Sequence, residues 1–207
     1  KERTPAVFTQ DVEREWEASR GGPSTVPDEE MERLNAFFTP PPYAALPGDD
    51  HAFKEALADH RGFANWVARN VHAHKMPGYA IVTLSLKRTG VPPGDATSDQ
   101  MDAIADLADA HSFGELRVSH EQNLILADVL QSELFALWIK LRALGLATPN
   151  IGLLTDIVCC PGGDFCSLAN AKSLPIADAI QHRFDDLDYL HDIGEIKVKM
   201  SGCMNGC

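Results

Sequence analysis

Cysteine is absent from the first 158 residues of this 207-residue chain, although five cysteines follow between Cys159 and Cys207. A disulfide-stabilised secreted protein is usually shorter and distributes its cysteines along the whole chain. The clustering at one end therefore excludes a disulfide framework. It predicts a metal site in a reducing compartment, which we expect to be the cytoplasm.

Long apolar runs are also missing. No stretch of 18 or more apolar residues occurs, so the sequence predicts no membrane-spanning segment. No basic and apolar secretory leader is visible at the start. Because the first residue is Lys1 rather than Met, we expect the chain to begin inside a longer protein.

Basic residues are few. The chain has 18 Lys and Arg against 30 Asp and Glu, a net charge of −12. Binding to nucleic acid depends on clustered cations that meet phosphates, so this balance excludes nucleic acid as a partner. It also predicts that this chain alone holds no polyanionic ligand, and that cations for such a ligand come from elsewhere.

The hydrophobic pattern up to residue 146 predicts an α+β fold. Residues 1–75 are predicted to form helices and Pro-rich connectors, with helices at 8–20, 27–38 and 51–72. Thr97 or Ser98 is predicted to cap the next helix. Its inward face is expected to carry Met101, Ile104, Ala105, Leu107 and Ala108. Strands and helices in the order β-α-β-β-α are predicted at 79–87, 99–111, 114–119, 123–128 and 132–146.

The five cysteines follow two further predicted strands. A strand at 153–158 runs into the segment CCPGGDFC, and a strand at 195–200 runs into SGCMNGC, with a helix at 174–192 between them. Ligands in α/β proteins usually lie beyond the carboxyl ends of strands. Lys197 and Lys199 share one face of the second strand, and Asp156 and Asp164 show no acid–base pairing.

The spacing of the thiols allows three interpretations. Five residues separate Cys160 from Cys166, and three separate Cys203 from Cys207. Glycines in both loops let the backbone approach a bulky inorganic group. Four thiolates can hold a [4Fe–4S] cluster, which this spacing favours. Structural zinc usually takes pairs of cysteines two to four residues apart, and buried or redox-active thiols without a metal are the third interpretation.

A resemblance to a known family rests on longer segments. CPGGDFCSLANAKS and KVKMSGCMNGC resemble the cluster motif of the sirohaem-dependent sulfite and nitrite reductases. The stretches GYAIVTLSLK, GELRVSHEQNLIL and LRALGLATPNIG resemble the second ferredoxin-like half-domain of that family. The resemblance covers about 76–207. It implies a connector at 1–75, a ferredoxin-like half-domain (βαββα) at 76–150, and at 151–207 the start of an α/β domain that binds sirohaem and [4Fe–4S].

The resemblance also implies the roles of individual residues. The cluster ligands would be Cys160, Cys166, Cys203 and Cys207, and the sulfur of Cys207 would also bridge to the sirohaem iron. Other expected cofactor-binding residues are Arg117, Gln122, Asn123 and Asn205, although Arg117, Gln122 and Asn123 can also be structural and Asn205 can be a left-handed turn residue. Cys159 is expected to be a small core residue.

The activity implied is a six-electron reduction of sulfite to sulfide or of nitrite to ammonia, with sulfite preferred. No catalytic residue is expected in this segment, because the cations that bind the anionic substrate would lie in a missing N-terminal half. The segment alone is therefore expected to be inactive, with a chain break immediately after the bridging ligand. The electron donor would be an NADPH-linked flavoprotein or ferredoxin. The alternative is a non-catalytic zinc or Fe–S structural module.

Overall fold

The computed structural model describes residues 4–48 and 50–206. It divides the chain into two compact units, residues 1–43 and 44–207. Cys207, the predicted bridging ligand, lies outside the described residues.

The first unit contains two helices, α1 (Pro5–Ser19) and α2 (Asp28–Ala36), close to their predicted positions. The Thr4 side chain accepts a hydrogen bond from the amide of Val7, and Pro5 provides the fixed φ that suits the first helical position. Neither helix has a buried residue, and the side chain of Trp16 is 57% exposed. The helices of this unit therefore bury no core of their own.

The second unit begins with α3 (His51–Asp59) and α4 (Arg61–Asn70). The sequence predicts one helix over 51–72, but the extended backbone of His60 (φ −126°, ψ 93°) interrupts it. Phe63 and Trp66 of α4 are completely buried. The ring of Phe63 packs edge to face on Phe135, with 5.2 Å between ring centroids, and its centroid lies 5.5 Å from that of Trp138. The helix α4 is thus part of the core of this unit.

An antiparallel sheet organises this unit. Its strands are β1 (Val71–Ala73), β2 (Tyr79–Leu84), β3 (Leu116–Val118) and β4 (Leu124–Leu130), in the order β1-β2-β4-β3. Helices α5 (Ser98–His111) and α6 (Leu134–Ala143) complete the predicted β-α-β-β-α order. The predicted ferredoxin-like half-domain is confirmed, and β1 adds an edge strand that the sequence did not predict.

The start of α5 follows the predicted capping chemistry. The Thr97 hydroxyl accepts from the amide of Gln100, and the Gln100 side chain accepts from the amide of Thr97. The predicted inward face is correct at Ile104, Leu107 and Ala108. It is wrong at Met101, which is 42% exposed, and at Ala105, which is exposed. The buried stripe begins one turn later than predicted, and Ala105 lies outside it.

The last part of the chain contains α7 (Leu174–Arg183), α8 (Leu187–Ile193) and the parallel pair β5 (Val158–Cys159) and β6 (Lys199–Met200). Both strands are shorter than predicted. Residues 151–157 form turns, and one isolated bridge joins Leu153 to Glu195. The helix predicted over 174–192 is interrupted between Arg183 and Leu187. The division of this unit near residue 150 stays a prediction.

Across the described residues, no helix combines the length and the apolar character needed to cross a membrane.

Candidate metal centre

The pairing of β5 with β6 brings the two cysteine loops together. Cys159 lies opposite Met200, and the amide of Cys160 donates to the carbonyl of Met200 at 3.1 Å. Because the strands are parallel, their carboxyl ends meet at one edge. The loop that begins at Cys160 and the segment that contains Cys203 therefore start side by side.

Glycines allow these loops to touch through their backbones. A Cβ on Gly202 would lie 2.7 Å from Cα of Gly162 and 2.9 Å from the carbonyl oxygen of Ala171. That carbonyl accepts from the amide of Gly163 at 2.9 Å, and the carbonyl of Gly202 accepts from Asn170 and Ala171 at 2.8 and 3.0 Å. A side chain at Gly202 would therefore force the two loops apart.

The sulfur of Cys160 receives a hydrogen bond from the opposite loop. The amide of Gly202 donates to its Sγ at 3.0 Å, and the hydroxyl of Ser173 lies 3.7 Å away. The amide of Gly202, followed by Ser173, lowers the pKa of the Cys160 thiol below its usual value. Hydrogen bonds to the charged form favour the thiolate, which is the form that binds metals.

The remaining predicted ligands are less closely gathered. Cys166 is exposed, and its amide donates to the carbonyl of Gly162 at 2.9 Å. Cys203 is half-buried, and its carbonyl accepts from the Ser201 hydroxyl at 2.8 Å. Within residues 4–48 and 50–206, no three His, Cys, Asp or Glu side chains are close enough to hold one metal ion. The donor set of thiols, with an amide already directed at one sulfur, fits an iron–sulfur cluster.

Cys159 occupies the core, as predicted. It is 2% exposed and packs in a small cluster with Ile157 and Ala177. Burial, and next the neighbouring Cys160, raise the pKa of its thiol. A thiol that resists ionisation is a poor metal ligand, so Cys159 differs in role from its neighbour.

Two of the predicted cofactor-binding residues support the strand that leads to Cys160. The Gln122 side chain accepts from the amide of Cys159 at 2.9 Å and donates to its carbonyl at 3.0 Å. The backbone of Gln122 has a positive φ of 57°. Asn123 is 1% exposed; its Oδ1 accepts from the amide of Leu86 at 3.1 Å, and its Nδ2 donates to Asp156 at 3.0 Å.

The other two predicted cofactor-binding residues lie at the surface. Arg117 is on the edge strand β3 and forms an ion pair with Glu115. Asn205 is exposed in the loop after β6. Among the described residues other than glycine, a positive φ occurs at Phe113 and Gln122, so the interpretation of Asn205 as a left-handed turn residue is wrong.

A buried lysine beside the cysteine strand was missed. Lys87 is 1% exposed, and its Nζ donates at 2.8 Å to the carbonyls of Glu121 and Ile157. Asp156 lies 3.6 Å from the same nitrogen, although the sequence predicted no pairing for it. Burial lowers the pKa of Lys87, and Asp156 partly offsets this. Polar residues occupy alternate positions at Thr83, Ser85 and Lys87. This pattern normally predicts a strand face that is exposed to solvent.

Lys197 forms an ion pair on the surface beside this site. Its Nζ donates to Oε1 of Glu121 at 3.0 Å. The pair lowers the pKa of Glu121 and raises that of Lys197. The predicted strand face that carries Lys197 is thus tied to the loop that precedes Gln122.

Comparison with protein families gives a match over residues 85–144 to the nitrite/sulfite reductase ferredoxin-like half domain. The matched residues begin just after β2 and include the whole of α5, β3, β4 and α6. The match covers β3 and β4 of the four-stranded sheet and none of the cysteines.

Curated relatives extend the similarity. The chain is 31% identical over 143 residues to the chloroplastic ferredoxin–nitrite reductase of Betula pendula, with 66% of this chain and 22% of the relative covered. It is 28% identical over 147 residues to the ferredoxin–nitrite reductase of Synechococcus elongatus, with coverages of 69% and 27%. It is 28% identical over 128 residues to sulfite reductase [ferredoxin] 2 of Mycolicibacterium paratuberculosis, with coverages of 59% and 23%.

A solved structure of the NirA protein from Mycobacterium tuberculosis aligns with a TM-score of 0.50 and 24% identity, covering 65% of this chain and 24% of that one. At this identity the likeness concerns the fold alone. The chain spans about a quarter of the length of the curated relatives named above. With its ferredoxin-like half-domain and these relatives, the chain belongs to the sulfite and nitrite reductase family.

Proposed function

We propose that this chain is the cluster-bearing segment of a sirohaem [4Fe–4S] reductase that acts on nitrite or sulfite. The observation that carries the proposal is the contact between the two cysteine loops, in which the amide of Gly202 donates to Sγ of Cys160 at 3.0 Å. An amide aimed at a thiolate from a glycine-rich loop suits an iron–sulfur cluster, because such hydrogen bonds stabilise the negative charge on its sulfur ligands.

In this proposal Cys160, Cys166, Cys203 and Cys207 would hold the cluster, and Cys207 would also be the residue that links it to the sirohaem. When bound, these groups would supply one-electron transfer chemistry, with the electrons coming from the external donor. The protein residues have simpler tasks. Gly202 stabilises the thiolate of Cys160, while Gly162 and Gly202 let the loops close around the site. Asn205 and Arg117, which are exposed, would approach the macrocycle or its carboxylates.

The substrate-binding cations are assigned to another part of a longer protein. The chain has a net charge of −12, which repels both a carboxylate-rich macrocycle and an anionic substrate. Relatives named ferredoxin–nitrite reductase and sulfite reductase [ferredoxin] support ferredoxin, rather than a flavoprotein, as the electron donor. A reducing compartment follows from the need for free thiols.

Turnover assays test the function. With reduced ferredoxin as donor, the reductase that includes this segment is expected to convert nitrite to ammonia or sulfite to sulfide, with six electrons consumed per product. Cys160→Ser should abolish this turnover, and the 207 residues alone should show none. If the longer protein reduces neither anion, the proposed function is wrong. If the 207 residues turn over unaided, the assignment of the cations to another segment is wrong.

A further inference from the structure

The strand β5 is held on both edges, although it has only one neighbouring strand among the described residues. On one edge, the amides of Val158 and Cys160 donate to the carbonyls of Val198 and Met200 at 3.0 and 3.1 Å. On the other edge, the carbonyl of Ile157 and the backbone of Cys159 also have partners. Those partners are side chains.

Two side chains take the place of a third strand. Nζ of Lys87 donates to the carbonyl of Ile157 at 2.8 Å. The side-chain amide of Gln122 binds both the amide and the carbonyl of Cys159. Successive residues of a strand direct their backbone groups to opposite edges, so the contacts at Ile157 and Cys159 fall on the edge away from β6.

Lys87 also ties this edge to the loop before β4. An ammonium group has three donors, and burying it is costly unless all of them find acceptors. The carbonyls of Ile157 and Glu121 accept hydrogen bonds, both at 2.8 Å, and the carboxylate of Asp156 forms an ion pair at 3.6 Å. The Asp156 carboxylate is fixed in turn by Asn123 and by the amide of Gly152, each at 3.0 Å.

We propose that Lys87 is a positioning residue for the candidate metal centre: its ammonium fixes the carbonyl of Ile157, and thereby the short strand that ends at Cys160, against the loop that carries Gln122. This inference rests on the proposed function only in taking Cys160 as a ligand. Lys87 acts through the backbone and touches no ligand. A strand of two residues has few backbone bonds of its own, so the position of Cys160 depends on this lateral support.

Hydrogen exchange measures this support locally and without any metal. The amides of Val158 and Cys160 report on the β5–β6 contact, and those of β2 and β4 report on the half-domain sheet. Lys87→Met removes all three donors but leaves the Asp156 carboxylate buried and unpaired. The double variant Lys87→Met/Asp156→Asn removes the ammonium without stranding a charge, so it keeps the comparison possible if the single variant does not fold.

In the double variant, we expect the Val158 and Cys160 amides to exchange about tenfold or more faster, because a charge-assisted hydrogen bond on the strand is lost. The β2 and β4 amides should exchange at their original rates. Lys75→Met, which removes an exposed lysine far along the sequence from β5, should leave all of these rates unchanged.

Either of two results would overturn the inference. Unchanged exchange at Val158 and Cys160 would mean that Lys87 does not position the strand. An equal acceleration at every amide would mean that Lys87 contributes only to general stability. Iron binding is measured separately: a chain that shows the expected local exchange but binds no iron would contradict the proposed function and leave the role of Lys87 in positioning the strand intact.

Discussion

The amide of Gly202 donates to the sulfur of Cys160 at 3.0 Å across 42 positions of sequence. This one contact joins the two cysteine loops and directs a partial positive charge at a thiol. Its consequence is a lowered pKa for Cys160, whereas burial raises the pKa of the adjacent Cys159. Neighbouring thiols are thus prepared for different roles by their surroundings.

Closure of the loops should depend on the absence of a side chain at Gly202. Gly202→Ala is expected to destabilise the fold by about 1–3 kcal/mol, as overpacking does, because its Cβ would meet the backbone of Gly162 at 2.7 Å. Denaturant unfolding measures this loss of stability. Gly163→Ala, in the opposite cysteine loop, is the matched control, since its Cβ would make ordinary contacts at 3.5 Å. Equal effects of the two substitutions would contradict the argument.

The two adjacent cysteines should separate stability from metal binding. Cys159→Ala removes a buried thiol and is expected to cost about 1 kcal/mol, with no change in iron content. Cys160→Ala is expected to abolish iron binding. Iron analysis of both variants, purified without oxygen, gives the result. If Cys159→Ala loses the iron and Cys160→Ala keeps it, the assignment is reversed.

The Glu121–Lys197 pair predicts a pH dependence. The folded pKa of Glu121 lies below its ordinary value of 4.5, so the pair's contribution is complete above pH 4.5 and is lost as the pH falls through the folded pKa. Since the pKa of Lys197 is raised above 10.5, the contribution is also lost in strong alkali, as the pH rises through that raised value.

Lys197→Met should therefore lower the free energy of unfolding at pH 7, and the difference from the original chain should shrink as the pH falls below 4.5. Urea titrations over this range test the prediction. Lys75→Met, at an exposed lysine, is the control. A constant difference at all pH values would show that the pair does not act through its charges.

The core assignment of α4 predicts a large effect of Phe63→Ala. Loss of a completely buried ring should cost about 3–5 kcal/mol. Trp16→Ala, at a residue that is 57% exposed, should change the free energy of unfolding by less than about 0.5 kcal/mol. Thermal or urea unfolding compares the two. Similar losses would mean that α1 buries its aromatic residue as α4 does.

Local chemistry made much of this fold predictable. The cap at Thr97 follows from its hydroxyl and from Gln100 three residues later, and the alternation after residue 78 predicts β2. The break at His60 was not predicted, because no Pro or Gly stands at residue 60 itself and Gly62, two residues later, lies within α4. Met101 was misplaced because spacing gives the face of a helix but not the turn at which packing begins.

The candidate site was predictable only where its residues have a distinctive spacing. Cysteines with glycines between them indicate a metal centre, and each group follows a predicted strand. The meeting of the two loops depends on the parallel pairing of β5 with β6, which the sequence did not predict. Lys87 gave no such signal, since a lysine at a strand end normally reaches solvent. Its burial depends on the 150–157 segment folding over the polar face of β2, through the hydrogen bond between Ser85 and Asn150, a contact between distant positions in the sequence.

Iron, acid-labile sulfide and zinc per chain, measured on protein purified without oxygen, test the central claim most directly. We expect about four iron and four sulfide per chain, little zinc, and loss of the iron in Cys160→Ser and Cys203→Ser. Stoichiometric zinc without sulfide, in a folded chain, would contradict the cluster and establish a structural zinc module in its place.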